Sequence, residues 1–278
     1  MKTRITYSFI ILGLLILYSC SPSTYIRNAV NSPLFENKNE LHTSSYINVG
    51  EFDFQMAYSL SSHIGIMANG YTAFPNSYRI SKGSFYSMKY DLALGYFINL
   101  NEKHYLSAFI GTGQGLLKGD MKRHWAGQWN IEWLDYHTDY NEYYLQLGYY
   151  KKTNKWNIGF TMRSNLIYYN SYDYDVVRDE YQPGATPIVF TDTIHKTNVY
   201  GYSIDPLINI QLKIHKFRLL GQFGYSISNL DVENLHKYYS TKYNYLTDFN
   251  AHPRYQRLIF KIGVQYVLGG KNNKIKNL

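Results

Sequence analysis

From about residue 40 the chain is written in twos. Phe52, Phe54, Met56, Tyr58 and Leu60 alternate with Glu51, Asp53, Gln55, Ala57 and Ser59. Met88, Tyr90, Leu92, Leu94, Tyr96 and Ile98 alternate with Lys89, Asp91, Ala93 and Gly95, and Trp156, Ile158, Phe160 and Met162 with Asn157, Gly159, Thr161 and Arg163. The same period returns in 200–213, 217–227 and 258–268, and more weakly in 63–73, 104–115 and 140–150, where Gly and Tyr occupy both phases. Strict alternation of this kind predicts β-strands with two unlike faces, and no stretch shows a helical period. Pro206 lies inside one strand pattern, so a bulge or local break is expected there.

The connections alternate in length. Short ones fall near Ser61-Ser62, Asn101-Glu102-Lys103, Lys152-Thr153-Asn154 and Ile214-His215. Long polar ones cover about 74–86, 116–138, 169–198 and 229–254. Tight turns on one side and long loops on the other are the layout of a transmembrane barrel with periplasmic turns and outer loops. The strand at 51–60 must then run inward. A lipidated N-terminus starts on the inner side, so an earlier upward strand is needed, and residues 40–48 supply it. The expected fold is all-β: a single antiparallel transmembrane-type barrel of about ten strands, with eight as the rival count.

The bulky face carries Leu, Ile, Phe, Met and Tyr on nearly every strand, which suits contact with lipid. The other face mixes small residues with charge: Asp53, Lys89, Asp91, Glu142, Arg163, Asp205, Lys213, Arg218, Arg257 and Lys261. These ten are expected to form a paired network in a narrow lumen that is plugged or nearly closed. The alternative is a soluble periplasmic β-rich lipoprotein with the charges in water, and alternation alone does not choose between them. Tyr71, Tyr86, Tyr96, Tyr105, Tyr149, Trp156, Tyr168, Tyr169, Tyr200 and Tyr266 lie near strand ends and are expected to form the interfacial girdle.

Composition sharpens this picture at three points. Tyrosine reaches 31 of 278 residues, and aromatics 18%, which favours strands with one wet and one apolar side. The single cysteine excludes an internal disulfide or a thiolate metal cluster. A net charge of +8 is modest, and its basic residues form no stripe outside the tail, so nucleic-acid binding has no support.

Before the alternating region, Lys2 and Arg4 precede a short apolar run from Phe9 to Leu17, the layout of an export signal. Leu17-Tyr18-Ser19-Cys20 resembles the lipobox of bacterial lipoproteins. The resemblance implies cleavage before Cys20 and its acylation, and Ser21-Pro22 after it favours an outer-membrane destination. The expected division is a signal peptide at 1–19, an anchor and linker at 20–39, the barrel at 40–268 and a polar basic tail at 269–278. The stretch from Phe52 to Gly70, with the preceding Pro33-Leu34-Phe35, is similar to small outer-membrane barrel lipoproteins of Bacteroidota. That resemblance covers roughly residues 20–75 and implies an outer-membrane location without a settled activity.

Chemistry-bearing motifs are sparse. The expected recognition patch is the second outer loop, with His124, Trp125, Trp129, Trp133, Asp135 and His137; three tryptophans so close are costly to expose unless they pack or meet a partner. A His–carboxylate site in the outer loops would instead make the chain a hydrolase or acyltransferase. No metal, nucleotide or other cofactor motif is present, and none is expected. The preferred reading is structural or loop-mediated binding rather than catalysis, with membrane lipid as one partner and a glycan or protein as another.

Overall fold

The computed structural model describes Ile26 and residues 28–48, 51–73, 82–124, 131–180, 188–228 and 258–269. Cys20, the signal segment, Trp125, Trp129, Arg257 and the tail beyond Gly269 lie outside the described residues. Among those described, the strands are β1 (Leu41–Asn48), β2 (Glu51–Ser59), β3 (Ile64–Ala73), β4 (Lys82–Asn99), β5 (His104–His124), β6 (Ile131–Lys152), β7 (Trp156–Glu180), β8 (Ile188–Lys196), β9 (Val199–Ile214), β10 (Phe217–Tyr225), β11 (Ile227–Ser228) and β12 (Leu258–Leu268).

Ten of these close into one antiparallel cylinder. Neighbours in sequence pair from β1 to β7; β9 pairs the lower half of β7, β10 follows, and β12 returns to β1 with Leu41 opposite Leu268 and Ile47 opposite Ile262. Closure removes the unpaired edges that an open sheet would have to protect. The remaining two strands are accessory. β8 pairs only the upper end of β7, from Tyr172 to Glu180, and β11 adds two residues against β9.

The wall is inverted relative to a soluble barrel. Leu92, Phe160, Ile210 and Phe260 are 61%, 49%, 42% and 52% exposed, while Asp91, Arg163, Arg218 and Lys261 are 1%, 2%, 8% and 4% exposed. Apolar side chains cover the outside on every long strand, an exposed patch far larger than a protein in water tolerates. Lipid is the solvent that makes this surface favourable. The soluble alternative fails on this point.

Three expectations need correction. The segments expected as long loops at 116–138 and 169–198 are largely strand: β5 and β6 stay paired as far as His124 opposite Ile131, and β7 and β8 as far as Glu180 opposite Ile188. Alternation weakens there because these extensions leave the membrane and no longer need one face uniformly apolar. Asn170 is an extra residue in β7, opposite the step from Asp139 to Tyr140, and this bulge marks the transition.

Second, Tyr71, Tyr105 and Tyr169 are buried in the interior and take no part in a girdle. The exposed tyrosines and tryptophan include Tyr96, Tyr149 and Trp156 near the short turns and Tyr86, Tyr90, Tyr143, Tyr200 and Tyr202 toward the other end. His63 stacks on Tyr96 and His104 on Tyr149 at the lower ring.

Third, β9 runs through Pro206 without a register shift. The break falls on the partner strand instead, at Ser226 between β10 and β11, because proline has no N–H to offer across the ladder. The Ser226 hydroxyl donates to the Asp205 carboxylate there.

The mixed Gly/Tyr strands have a physical basis. Inward aromatic rings lie flat over glycines directly opposite on the neighbouring strand: Tyr144 over Gly111, Tyr140 over Gly115, Tyr150 over Gly159 and Phe109 over Gly95. A Cβ built at any of these glycines would come within 2.0–2.3 Å of the ring it faces, closer than real Cβ contacts allow. Large and small residues thus interlock in a narrow interior. Gly115→Val should cost about 1–3 kcal/mol through overpacking, read as a lower urea midpoint of the folded barrel, whereas Gly221→Val should cost little, since a Cβ there meets open space.

Candidate functional site

The lumen is filled by the chain's own linker. Residues 28–35 are buried along their whole length, and the segment runs down the barrel axis before β1 begins. Sequence alone assigns residues 20–39 to an anchor and linker with no part in the lumen, which the wall's own charged side chains are expected to fill. An extended segment brings backbone donors and acceptors with no ladder partner, so each needs a side chain from the wall. The inward polar face supplies them.

Ile26 N–H donates to the Tyr140 hydroxyl (3.3 Å), and Lys89 Nζ donates to the Ile26 carbonyl (3.3 Å). Ala29 N–H donates to Asp53 Oδ1 (2.8 Å), and its carbonyl accepts from Gln55. Val30 N–H donates to Gln222 Oε1 (3.0 Å), and its carbonyl accepts from the same side chain. Gln146 Nε2 donates to the Asn31 carbonyl (2.7 Å), Gln211 Nε2 to that of Ser32 (3.3 Å), and the Tyr105 hydroxyl to that of Pro33 (2.9 Å). At the lower end Leu34 and Phe35 pack among Phe97, Tyr105, Phe109 and Tyr150.

The charges meet at Asn28. Its Nδ2 donates to Asp91 Oδ2 (2.8 Å), while its Oδ1 accepts from Lys89 (3.1 Å) and Arg163 (3.0 Å). Lys89 pairs with Glu142 at 2.8 Å and Arg163 with Asp91 at 3.3 Å, and the Arg163 guanidinium lies 3.7 Å from the centre of the Tyr144 ring. Asp91 also accepts from Asn69 and from the Tyr144 hydroxyl (2.7 Å). A second group joins Lys261 to Glu51 (2.6 Å) and Asp53 (3.1 Å). Each charge in these two groups thus has an opposite charge and added hydrogen bonds, the condition under which burial is tolerated.

Other members of the expected network stand apart. Asp205 is bound by Asn165, Ser203 and Ser226, and Arg218 donates to Gln211 and Gln265. Lys213 is not in the lumen proper; it sits half-buried at the lower rim and donates to the Thr153 carbonyl at 3.0 Å. The hub residue Asn28 was missed by sequence reading, since a lone Asn in a linker carries no periodicity.

At the lower rim Glu40 anchors the turn between the linker and β1. It accepts from the Glu36 N–H (2.8 Å), Asn37 Nδ2 (2.7 Å) and His42 (3.4 Å). Burial alone would push its carboxyl up, but these bonds outweigh burial and hold it below the ordinary 4.5. A depressed carboxyl contributes stability that is present above the unfolded value and lost as pH falls through the folded one. The melting temperature should therefore drop on acidification below about 4.5, and Glu40→Gln should flatten that limb of the pH profile.

The outer hairpins carry the expected recognition residues differently from a loop. His124 pairs with Ile131, Trp133 with Lys122, Asp135 with Asp120 and His137 with Lys118 across β5 and β6. Of these, Asp135 is exposed and His137 half-buried. His137 is also opposite Asp173 on β7, which is opposite His195 on β8. His195 Nδ1 contacts the Asp173 carboxylate directly, with His195 exposed and Asp173 half-buried. Sequence does not reveal that His–Asp pair, because residues 188–196 lack a strand's alternation and register across three strands is invisible in sequence. Among the described residues no group of three His, Cys, Asp or Glu could hold a metal ion.

No protein-family model matches the sequence, and a search of curated proteins gives no match. Among solved structures, the chain is similar to the outer membrane protease OmpT from Escherichia coli, at 11% identity and a TM-score of 0.47, over 86% of this chain and 100% of that one. It is also similar to the KdgM porin in complex with disordered oligogalacturonate (8%, 0.34, 83% and 99%) and to CarO of Acinetobacter baumannii (9%, 0.33, 83% and 98%). At such identities and scores none of the three bears on what this chain does.

Proposed function

We propose that this chain is an outer-membrane barrel, lipid-anchored at Cys20, that does not conduct and serves a structural or binding role through its outer hairpins. The observation that supports a sealed lumen is the linker from Ile26 to Phe35, hydrogen-bonded to the wall at nearly every residue. A pore needs a continuous wet path, and here that path is occupied by protein. The outer extensions of β5, β6, β7 and β8 rise beyond the membrane-facing wall and carry exposed Asp135, Asp175 and His195 with half-buried His137 and Asp173, a polar surface suited to a glycan or a protein partner.

Liposomes carrying the full chain should not swell in small sugars or show channel steps; either behaviour would overturn the sealed reading. The enzyme alternative centres on His137, Asp173 and His195. A lipid- or peptide-hydrolysing activity abolished by His137→Ala or His195→Ala would replace binding with catalysis.

A further inference from the structure

The linker descends. Ile26 is held by Lys89 and Tyr140, Asn28 by Asp91 and Arg163, Ala29 by Asp53 and Gln55, Ser32 by Gln211, Pro33 by Tyr105 and Phe35 by Asn99. Along β4 these partners step from Lys89 down to Asn99, the last residue before a short turn. Ten residues of tilted strand, at ~3.3 Å each and a tilt of ~40°, place Ile26 about 25 Å above the short-turn end. The two ends fix the direction: Ile26 meets Lys89, ten residues before Asn99 on β4, and Phe35 meets Asn99 itself.

Two routes could bring the chain to Ile26. The lower one is occupied by the linker itself and closed by Leu34 and Phe35 packed among Phe97, Tyr105 and Phe109. The side walls are closed by the ladder. Above Ile26 the strands β4 to β7 continue beyond the level of Lys89, and among the described residues none crosses the lumen there.

We infer that the chain enters the barrel from the outer mouth, so that residues before Ile26 lie on the cell-surface side. The expectation of an N-terminus on the inner side is thereby reversed, while β1 still starts at the lower rim because the linker delivers it there. Five residues separate Cys20 from Ile26, a stretch that reaches up to ~20 Å when extended. Acyl chains on Cys20 would enter the membrane from its outer surface. That last statement rests on the lipid-anchor reading above, whereas the direction of entry does not.

The test is labelling of intact cells with a membrane-impermeant maleimide. Ser23→Cys reports on the N-terminal exit, Asp175→Cys on the outer hairpin and Glu102→Cys on a short turn. The expected result is that Ser23→Cys labels to the same extent as Asp175→Cys, while Glu102→Cys labels only after the outer membrane is permeabilised. Labelling of Ser23→Cys only after permeabilisation overturns the inference. An epitope inserted between Ser23 and Thr24, read by antibody on intact cells, gives the same decision without depending on thiol reactivity. In the unsubstituted chain Cys20 should be unreactive because it is acylated; surface labelling of Cys20 would refute the anchor and still support the outward exit.

Discussion

Asp91→Ala will destabilise the folded barrel by about 3–5 kcal/mol, the usual result of removing one partner from a buried ion pair. Asp91 is 1% exposed and accepts from Arg163, Asn28, Asn69 and Tyr144. Its loss removes the carboxylate 3.3 Å from the Arg163 guanidinium in an interior that water reaches poorly, and takes from Asn28 Nδ2 the acceptor at 2.8 Å. The linker is then loosened at its highest-charge contact. Urea unfolding of the lipid-reconstituted protein measures the effect. Lys213→Ala serves as the contrast: it removes a charge from the rim, where a change within about 0.5 kcal/mol is expected. Equal effects from the two substitutions would mean that the interior network contributes nothing special.

Removing the linker should convert a silent barrel into a conducting one. With residues 24–36 deleted, the wall keeps its own ion pairs, Lys89–Glu142, Arg163–Asp91 and Lys261–Asp53. The groups that lose the linker, among them Gln55, Gln146, Gln211 and Gln222, are polar and will be met by water. Discrete current steps in planar bilayers are expected from the deletion and none from the full chain. Heat-modifiable mobility on gels shows whether the shortened chain has folded, and a folded barrel that stays silent would contradict the assignment of the linker as the seal.

Much of the wall was legible because lipid enforces a rule on every strand: Leu92, Phe160, Ile210 and Phe260 must face out, and their neighbours in. The ten-strand count and the positions of the short turns follow from that rule. The interior obeyed no such rule. Tyr105 and Tyr169 resemble girdle residues by composition and place near strand ends, and only the cross-strand glycines and the linker decide that they point inward. The path of residues 26–36 left no periodic trace, since a single extended segment surrounded on all sides has no favoured face. The outer hairpins were hidden for the opposite reason: once clear of the membrane, strands can be polar on both faces and read as loop. Thus Asp135 and His137 were found as residues, but their register with Asp173 and His195 was not.

The claim on which the rest depends is that the apolar stripe of each strand meets acyl chains. Collision rates of spin labels at Leu92→Cys and Phe160→Cys, in the refolded Cys20→Ser chain in lipid vesicles, measure this directly. The account predicts frequent collisions with dissolved oxygen and rare ones with a water-soluble nickel chelate at both positions. Frequent nickel contacts there, or no contact with either reagent, would place those side chains in water or in a packed core and contradict it.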